Sequence, residues 1–299
     1  MTAAHGQTGR AILLMLGAVL IFTIMDTLAK WMTQHYSPLQ VVWSRYTGQT
    51  VIVVALLAPR LVPLMRTRNL GAHMLRSVFQ FGATACFFAA LGQIGLAEAT
   101  AIADLNPVLI TLGAALFLGE RLGPRRLAGV LVSLVGALII IRPGMGVFAW
   151  AALLPLGTAI CYSGYALVTR KLGASEPVWT SLIYTAIVGT AITSAIVPFH
   201  WQPVAVEHWL PFASVGLLGA AAQLCMIRAF SMAEASAIAP FSYMGLLFAT
   251  LWGFLFFGEM PDAMTGLGAL VIVGAGLYVW HRETRVARAA GGHAGQSEA

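Results

Sequence analysis

Long runs of apolar residues, separated by short polar segments, extend over most of this 299-residue chain. A helix needs about 20 residues to cross the roughly 30 Å hydrocarbon core of a bilayer, and several of these runs reach that length. Charged residues make up only 9% of the chain, against about 25% in an average soluble domain, so they could not cover a water-exposed surface. In lipid, backbone polar groups must be bonded within the protein, which favours helices. The sequence therefore predicts an all-α integral membrane protein.

Segments rich in proline and glycine, such as Arg142-Pro143-Gly144 and Glu176-Pro177, divide these runs into ten predicted transmembrane spans. No connection between them is long enough to hold a soluble domain. We expect no cleaved signal peptide, because the first run is too long for a signal sequence and leads into a second span. Spans 1 to 10 are predicted at 11–31, 39–58, 71–93, 100–118, 125–141, 148–170, 178–198, 209–230, 236–257 and 263–280.

The basic residues lie mostly beside these spans, where they report topology. If the N-terminus is cytoplasmic, fourteen of the 17 Lys and Arg residues, Arg76 among them, fall on the cytoplasmic side. Lys30 and Arg142 then lie outside, and Arg45 lies within span 2. We therefore expect both termini in the cytoplasm and an even number of spans. The flanking residues also explain the net charge of +6, which does not indicate a nucleic-acid partner.

The two halves of the chain repeat each other. Leu13-Leu14-Met15-Leu16-Gly17 opens span 1, and Leu153-Leu154-Pro155-Leu156-Gly157 opens span 6. A second match relates Ala97-Glu98-Ala99-Thr100-Ala101-Ile102-Ala103 to Ala233-Glu234-Ala235-Ser236-Ala237-Ile238-Ala239, and both copies lead into a span that ends in Phe-x-Gly-Glu. Because five spans is an odd number, the second copy must be inverted in the bilayer. Inverted repeats are typical of secondary transporters, which bind substrate near the midplane.

The duplicated five-span unit, Asn106-Pro107 in span 4 and the Phe-x-Gly-Glu ends together resemble the drug/metabolite transporter superfamily, EamA type, over residues 11–280. This resemblance implies a protein of the bacterial inner membrane with ten helices in two inverted five-helix repeats around a central cavity. Spans 1, 3, 4, 6, 8 and 9 would line that cavity. It implies cytoplasmic tails at 1–10 and 281–299 and repeats at 11–142 and 143–280. We expect the tail after His281 to be disordered, because it is small and polar.

Three charged residues lie inside or at the end of the first two predicted spans, where charge is unfavourable and usually faces protein or water. Asp26 and Lys30 share a face of span 1, four residues apart, and Arg45 lies in span 2 at a similar depth. One interpretation is a coupling cluster that handles substrate or protons. The other is a structural ion pair of Asp26 with Arg45, in which Lys30 extends towards the headgroups.

Uncharged polar and aromatic residues at mid-depth are the candidates for binding substrate. Convergent polar groups in a mostly apolar cavity are typical of a ligand pocket, and amides beside rings suit a zwitterion or a flat heteroaromatic metabolite. Interhelical hydrogen bonding is the alternative explanation. The predicted substrate-binding residues are Phe22, Asp26, Gln80, Phe81, Asn106, Tyr162, Tyr165, Gln223, Ser242, Tyr243 and Trp252.

Repeated glutamates and glycines have structural interpretations. Glu98 and Glu234 begin spans 4 and 9, where a carboxylate complements the helix dipole. Glu120 and Glu259 end the same spans, which is the unfavourable end for an anion, so we expect them to have partners. Small residues along spans 5 and 10 allow close helix approach, either within one chain or in a homodimer through these two spans.

We favour a secondary carrier that exports amino acids or related metabolites, by resemblance to exporters of this type. The second carrier hypothesis is uptake of a larger metabolite such as S-adenosylmethionine or riboflavin. An intramembrane enzyme or a membrane sensor is the hypothesis from another class. No Gly-x-Ser-Gly nucleophile, His-Glu-x-x-His motif or phosphate-binding loop occurs in the sequence, so we predict neither enzymatic activity nor a cofactor or metal. The expected partners are a small-molecule substrate and membrane lipid, with no nucleic acid.

Overall fold

The computed structural model describes residues 2–118, 124–142, 148–172, 176–232 and 239–294, and within these ranges it contains helices and connections but no β-strand. The predicted all-helical fold is confirmed. Six helical segments there are long and apolar enough to cross a membrane, and four shorter apolar helices accompany them. The main helices are α1 (Thr2–Thr33), α2 (Pro38–Leu57), α3 (Leu70–Leu91), α4 (Leu96–Ala103), α5 (Asn106–Leu118), α6 (Pro124–Ile141), α7 (Leu153–Leu172), α8 (Val178–Ile196), α9 (Trp209–Met232), α10 (Met244–Phe257) and α11 (Ala263–Ala294), with one-turn helices at Leu61–Leu64 and Phe148–Ala151.

Predicted span 4 is two helices rather than one. α4 ends at Ala103 and α5 begins at Asn106, with a turn between them. Pro107, in the first turn of α5, has no N–H with which to continue the hydrogen-bond ladder from α4. Predicted span 9 is also irregular at the corresponding place, because a 3₁₀ turn over Ala239–Tyr243 precedes α10.

The chain ends contain more helix than predicted. α1 begins at Thr2, inside the predicted tail 1–10, and α11 continues to Ala294. The expected disorder after His281 is therefore wrong as far as Ala294. The physical reason is helix propensity: alanine and arginine, which dominate this segment, are among the best helix formers, and no proline interrupts residues 263–294.

The main helix contacts join the two halves of the chain. α1 packs along α9, α3 packs along α7, and α6 packs along α11. α2 contacts both α8 and α9, and α4 contacts α10. Each of these pairs takes one helix from residues 11–142 and one from residues 143–280. The halves are therefore interleaved, and the main core cluster draws Met25, Tyr46, Phe88 and Phe212 from α1, α2, α3 and α9.

Glycines allow the closest helix contacts. At the α2–α9 crossing, a Cβ on Gly48 would lie 2.8 Å from the Gly216 Cα, which leaves no room for a side chain. At the α6–α11 crossing, a Cβ on Gly268 would lie 2.6 Å from the Gly136 carbonyl oxygen. The small residues of predicted spans 5 and 10 thus meet within one chain. Gly266 of α11 faces open space, and the homodimer stays a prediction.

The outward faces of the helices are apolar. The side chains of Phe117, Leu270 and Phe199 are 79%, 73% and 83% exposed. Contiguous apolar surface of this kind is unfavourable in water and marks contact with another apolar phase. Together with the apolar helices, it identifies a multi-pass membrane protein.

Candidate functional site

Arg45 is a buried cation between α2 and α3. Its guanidinium donates a hydrogen bond to the Thr84 hydroxyl, at 2.5 Å, and lies 5.6 Å from the Tyr46 ring centre and 5.8 Å from that of Phe88. The Tyr46 hydroxyl lies 3.0 Å from the same Thr84 hydroxyl. The Arg45 Nε is buried and has no hydrogen-bond partner. A guanidinium with an unused donor is suited to bind a carboxylate or phosphate.

Asp26 interacts electrostatically with Arg45 without touching it. Ion pairs within 4.0 Å in the described part of the chain do not include Asp26. Lys30 pairs with Glu259 instead, at 2.8 Å, and its side chain is buried. The predicted cluster of Asp26, Lys30 and Arg45 is therefore divided, and Lys30 does not extend towards the headgroups.

Two glutamines close to Arg45 and Thr84 in the sequence carry buried amide atoms without partners. Gln49 lies one turn along α2 from Arg45 and is fully buried, and neither its Oε1 nor its Nε2 has a hydrogen-bond partner. Gln80 lies one turn before Thr84 on α3, and its Oε1 is also unpaired. A buried polar group without a partner is unfavourable by roughly 1–3 kcal/mol. A bound polar solute would supply the missing hydrogen bonds.

The two predicted tyrosines of α7 lie against a second buried arginine. The rings of Tyr162 and Tyr165 are 5.5 Å apart, and Arg76 donates to the Tyr165 hydroxyl at 2.7 Å. Arg76 also donates to Thr169 Oγ1 at 2.6 Å and to Thr185 Oγ1 at 3.0 Å. Arg76 is 3% exposed. It is therefore part of the helix packing between α3, α7 and α8, whereas the sequence prediction counted it among the charges that flank the spans on the cytoplasmic side.

The break between α4 and α5 brings polar groups from both halves of the chain close together. Asp104 Oδ2, Asn106 Oδ1 and the Tyr243 hydroxyl are all buried and have no hydrogen-bond partner. Asp104 interacts electrostatically with Tyr243, which stands next to Ser242 in the 3₁₀ turn. Gly276 of α11 makes room for the Tyr243 hydroxyl, since a Cβ there would lie 1.9 Å from it. Interrupted helices at corresponding positions of two repeats are the feature around which many carriers build their sites.

The remaining predicted site residues lie in the helix core. Phe22, Phe81 and Trp252 pack against the same core cluster from α1, α3 and α10. The Trp252 indole N–H donates to Thr23 Oγ1 at 3.2 Å, which links α10 to α1. Gln223 is buried on α9, the helix that packs along α1.

A cavity of about 590 Å³ opens at the end of the helix bundle where α1 ends and α4 begins. Of the predicted site residues, Lys30 lines it, whereas the mid-depth polar residues do not. Its charged lining residues are Lys30, Glu98, Arg142, Glu259 and Asp262.

The second Phe-x-Gly-Glu motif builds one wall of this cavity. Gly258 ends α10 with φ 66°, a left-handed conformation that glycine adopts without strain. The chain then presents the Glu259 carboxylate to the Leu96 N–H at 3.0 Å, at the start of α4. Lys30, the partner of Glu259, also donates to the Ile94 carbonyl at 2.6 Å. The expectation that Glu259 has a partner is thus confirmed.

Arg142 and Asp262 connect the ends of α6 and α11 at the same cavity. The Arg142 guanidinium donates to the Asp262 carboxylate, and the Thr265 N–H donates to it at 2.8 Å. These bonds lower the pKa of Asp262 to about 2. The repeated glutamates Glu120 and Glu234 lie outside the described residues.

The model of the EamA-like transporter family matches this chain twice, at residues 9–142 and 149–280. The chain belongs to this family. The resemblance seen in the sequence is therefore confirmed, and the protein is a multi-pass membrane transporter of small molecules.

Several curated relatives of this EamA-like protein align over nearly its whole length. The riboflavin transporter of Rhizobium johnstonii is 30% identical over 90% of this chain and 90% of its own. The pseudopaline exporter of Pseudomonas aeruginosa is 30% identical over 88% of this chain and 93% of its own. The S-adenosylmethionine uptake transporter of Rickettsia bellii is 25% identical over 87% of this chain and 89% of its own. Since one relative is an exporter and another an uptake transporter, family membership leaves the direction of transport open.

A solved crystal structure aligns with this EamA-like protein with a TM-score of 0.64, over 90% of this chain and 96% of that one. The two sequences are 22% identical, so the likeness shows a common fold.

Sequence reasoning missed Asp104 and Arg76, whereas it placed Gln49 one turn deeper than Arg45 in span 2. Asp104 directly precedes the Asn-Pro pair, and that motif was the available signal. Gln49 follows Arg45 by one helical turn in an apolar span, which is itself an indication of a buried polar face. Arg76 gave no such signal, because an arginine near the start of a predicted span has the pattern of a topology residue.

Proposed function

We propose that this EamA-like protein has ten transmembrane helices in two inverted repeats, at 11–142 and 143–280, around a site at the bilayer midplane. The pattern of contacts supports this arrangement. The repeat relates α1 to α7 and α3 to α9, so the contact of α1 with α9 and that of α7 with α3 are equivalent. The irregular backbones of predicted spans 4 and 9 also occupy equivalent positions. An inverted two-fold relation accounts for both observations.

We propose that the substrate is a small zwitterionic metabolite, an amino acid or a close relative, and that the protein exports it. The observation that carries this proposal is the set of unpaired buried polar atoms near α2 and α3. The Arg45 Nε and the Gln49 Nε2 offer unpaired donors that fit a substrate carboxylate, and the Gln80 Oε1 offers an unpaired acceptor. Asp26, which has no ion pair within 4.0 Å, offers an acceptor for an ammonium group. Opposite charges on one small ligand would satisfy both.

Aromatic side chains complete the proposed site. Phe22, Phe81 and Trp252 pack on the core cluster that contains Met25 and Tyr46. Such rings provide the apolar wall against which a side chain of the substrate would lie, whereas the polar groups fix its orientation.

The second candidate function is uptake of a larger metabolite with a flat ring system, such as riboflavin or S-adenosylmethionine. It is favoured by the 30% identity to a riboflavin transporter over 90% of both chains. The ring pair Tyr162–Tyr165 offers a stacking surface for such a ligand.

Exchange transport in liposomes tests the substrate class. Liposomes containing the purified full-length protein are loaded with an unlabelled compound, and uptake of the labelled form is followed for amino acids, riboflavin and S-adenosylmethionine. The proposal predicts exchange of an amino acid above the level of protein-free liposomes. Exchange of riboflavin or S-adenosylmethionine without any amino acid would replace the first candidate with the second. Label recovered in a chemically altered form would instead indicate an intramembrane enzyme.

Direction needs a separate measurement in cells. Cells preloaded with the labelled amino acid should lose it faster with the protein than without it if the carrier exports. Matched controls are Leu131→Ala and Leu270→Ala, which shorten outward-facing side chains of α6 and α11 that are 55% and 73% exposed. These variants should export normally. Faster accumulation in the presence of the protein would contradict export.

A further inference from the structure

A carboxyl group with one buried and unpaired oxygen lies at the break between α4 and α5. Asp104 Oδ2 is buried and accepts no hydrogen bond, although the Asp104 N–H is bonded within α4 to the Thr100 carbonyl. Within the ranges that the structure describes, no Lys, Arg or His nitrogen lies within 4.0 Å of this carboxyl group. A buried ionised carboxylate needs a counter-charge or several hydrogen-bond donors. Asp104 has neither.

The described side chains around Asp104 place no cation within 4.0 Å of its carboxyl group. α4 and α5 pack against α7, α10, α11, α6 and α3, and also contact α1. The titratable side chains of these elements within the helices include Asp26 on α1, Arg76 and Cys86 on α3, Cys161, Tyr162 and Tyr165 on α7, and Tyr243 in the turn before α10. The cation among them, Arg76, donates to Tyr165, Thr169 and Thr185. Among the described groups, Tyr243 is the one that interacts electrostatically with Asp104. Its hydroxyl is also buried and unpaired.

The neighbourhood of Asp26 is different. Asp26 has a cation in its electrostatic environment, because Arg45 lies on the adjacent helix α2. A charge on Asp26 is therefore balanced within the protein itself, whereas a charge on Asp104 is not. Of these two acidic residues, Asp104 is therefore the one whose negative charge would be neutralised by binding a proton.

We propose that Asp104 is a proton-binding site that couples substrate transport to the proton gradient, with the Tyr243 hydroxyl as its hydrogen-bond partner. This inference rests on the proposed carrier function and adds a co-transported ion to it. A proton from water on one side of the membrane binds Asp104 Oδ2 when the site is open to that side. The neutral carboxyl group then donates to the Tyr243 hydroxyl while the site is closed to water. The proton leaves to water on the opposite side after the helices have rearranged.

The position of Asp104 links proton binding to the movement of the halves. Asp104 belongs to the first half of the chain and Tyr243 to the second, and the two interact electrostatically where both backbones depart from α-helix. When the protein opens to one side of the membrane or to the other, the access of water to Asp104 changes. Because an ionised carboxylate is tolerated only where water or a donor reaches it, each proton transfer favours one arrangement of the halves over the other.

Infrared titration of the full-length protein tests proton binding without a substrate. Protein in liposomes is compared between about pH 5 and about pH 8, and the carbonyl stretch of protonated carboxyl groups is followed. Wild-type protein should show a pH-dependent band that Asp104→Asn removes, that Asp104→Glu retains at a shifted position, and that Tyr243→Phe shifts. The control Glu207→Gln, which removes an exposed carboxylate in the 3₁₀ helix Val206–His208, should keep the band. An unchanged band in Asp104→Asn contradicts the proposal, as does a band in wild-type protein that responds to sodium instead of pH.

Transport separates coupling from a structural role. With the exchanged compound identified by the liposome panel, Asp104→Asn should reduce accumulation driven by an imposed pH gradient at least about tenfold. Exchange without a gradient should change by less than about threefold, since substrate binding is retained. The control Leu131→Ala, which shortens an outward-facing side chain of α6, should keep the response to the pH gradient. Equal loss of both activities in a well-folded Asp104→Asn protein would overturn the proposal. If no compound is exchanged by wild-type protein, the carrier proposal fails while the infrared titration still decides the role of Asp104.

Discussion

Asp26, which is half-buried, and Arg45, which is buried, are two charges that balance each other at a distance. Their electrostatic interaction exists without an ion pair, and Arg45 has Thr84 as a hydrogen-bond partner. Removing one charge leaves the other unbalanced in an apolar region, whereas removing both leaves no net charge. We therefore expect the double variant Asp26→Asn/Arg45→Met to be more stable than the sum of the single variants predicts, by roughly 0.5–3 kcal/mol. Denaturant unfolding in detergent measures this coupling. Strict additivity would show that the two charges do not neutralise each other.

The polar residues proposed to contact substrate give a second prediction. Gln80 has an unpaired Oε1, and Gln223 and Tyr162 belong to helices of the other half. Losing one hydrogen bond to a ligand costs about 0.5–1.5 kcal/mol, or up to roughly 3 kcal/mol for a charged group. We expect a higher half-saturation constant, by between a few-fold and about a hundred-fold, in each of the variants Gln80→Ala, Gln223→Ala and Tyr162→Ala. Measured exchange kinetics, with Leu131→Ala as the control, decide the matter. If all three half-saturation constants are unchanged, the substrate does not bind at these residues.

At the level of single residues, the sequence predicted which polar side chains lie inside the helices better than it predicted their partners. It identified Arg45 and Gln80 as polar groups inside the spans, since apolar context alone indicates burial. It could not find the partner of Lys30, because Glu259 is more than two hundred residues away along the chain and belongs to the other half. It also counted Arg76, near the start of predicted span 3, among the charges that flank the spans. Partners depend on helix packing, which residue spacing within one helix does not encode.

Gly258 ends α10, and its conformation gives a prediction about this helix end. It has φ 66° and open space around the position of a Cβ, so a substitution acts through the backbone alone. Placing a non-glycine residue in the left-handed region costs roughly 1–2 kcal/mol. Gly258→Ala should therefore destabilise the protein by about that amount and loosen the bonds of Glu259 to Lys30 and Leu96.

The matched control lies in the next helix. Gly266 of α11 also has open space around a Cβ, but no positive φ. Alanine is favoured over glycine within a helix by roughly 0.5–1 kcal/mol, so Gly266→Ala should stabilise the protein. Thermal unfolding of both variants measures the change in Tm, which should be negative for Gly258→Ala and positive for Gly266→Ala. Equal shifts in the same direction would contradict this account of the helix end.

The link between α6 and α11 predicts a specific pH dependence. The pKa of Asp262 is lowered to about 2 by its hydrogen bonds from Arg142 and Thr265. A carboxyl group with a lowered pKa stabilises the folded protein at every pH above its usual value near 4, and this contribution is lost as the pH falls towards 2. Asp262→Asn should therefore lower the Tm by a constant amount between pH 5 and 8. The difference should shrink in high salt, because the pair is exposed to solvent. A difference that changes between pH 5 and 8 would contradict this assignment.

At the level of helices, the positions of proline and glycine in the sequence predicted several helix ends well, but they did not predict the breaks within helices. The predicted spans 2 and 5, at 39–58 and 125–141, match α2 and α6 within a residue of each end. The break after Ala103 was not predicted, because its residues continue an apolar run and the proline follows it. The helical extension to Ala294 was not predicted either, since low hydropathy was taken as disorder although alanine and arginine favour helix.

For the whole molecule, the repeat in the sequence accounts for the interleaved packing of the two halves. Equivalent pairs such as α1 with α9 and α7 with α3 meet because each half contributes the partner that the other lacks. Depth and direction in the bilayer do not follow from packing, since a helix bundle is held together by the same contacts whichever end faces the cytoplasm. The distribution of charge decides between the two orientations.

Orientation in the membrane is therefore the prediction for the whole molecule. Arg76 is buried and no longer counts as a flanking charge, yet thirteen basic residues remain on the proposed cytoplasmic side against Lys30 and Arg142 on the other. A reporter fused after the last residue should be active in the cytoplasm. Cysteines at the exposed positions Arg66 and Glu207, which follow predicted spans 2 and 7, should react with an impermeant maleimide from opposite sides, Glu207→Cys from outside.

The wild-type protein provides the background for this labelling, because Cys86, Cys161 and Cys225 are free thiols within the helices. Five predicted spans lie between the two test positions, and an odd number places them on opposite sides. Reaction of both cysteines from the same side would require an even number and would contradict the ten-span arrangement. Reaction of Arg66→Cys from outside and protection of Glu207→Cys would keep that arrangement and reverse its orientation. The inverted repeat would survive that result, since it depends on the parity of the spans, whereas the positive-inside assignment would not.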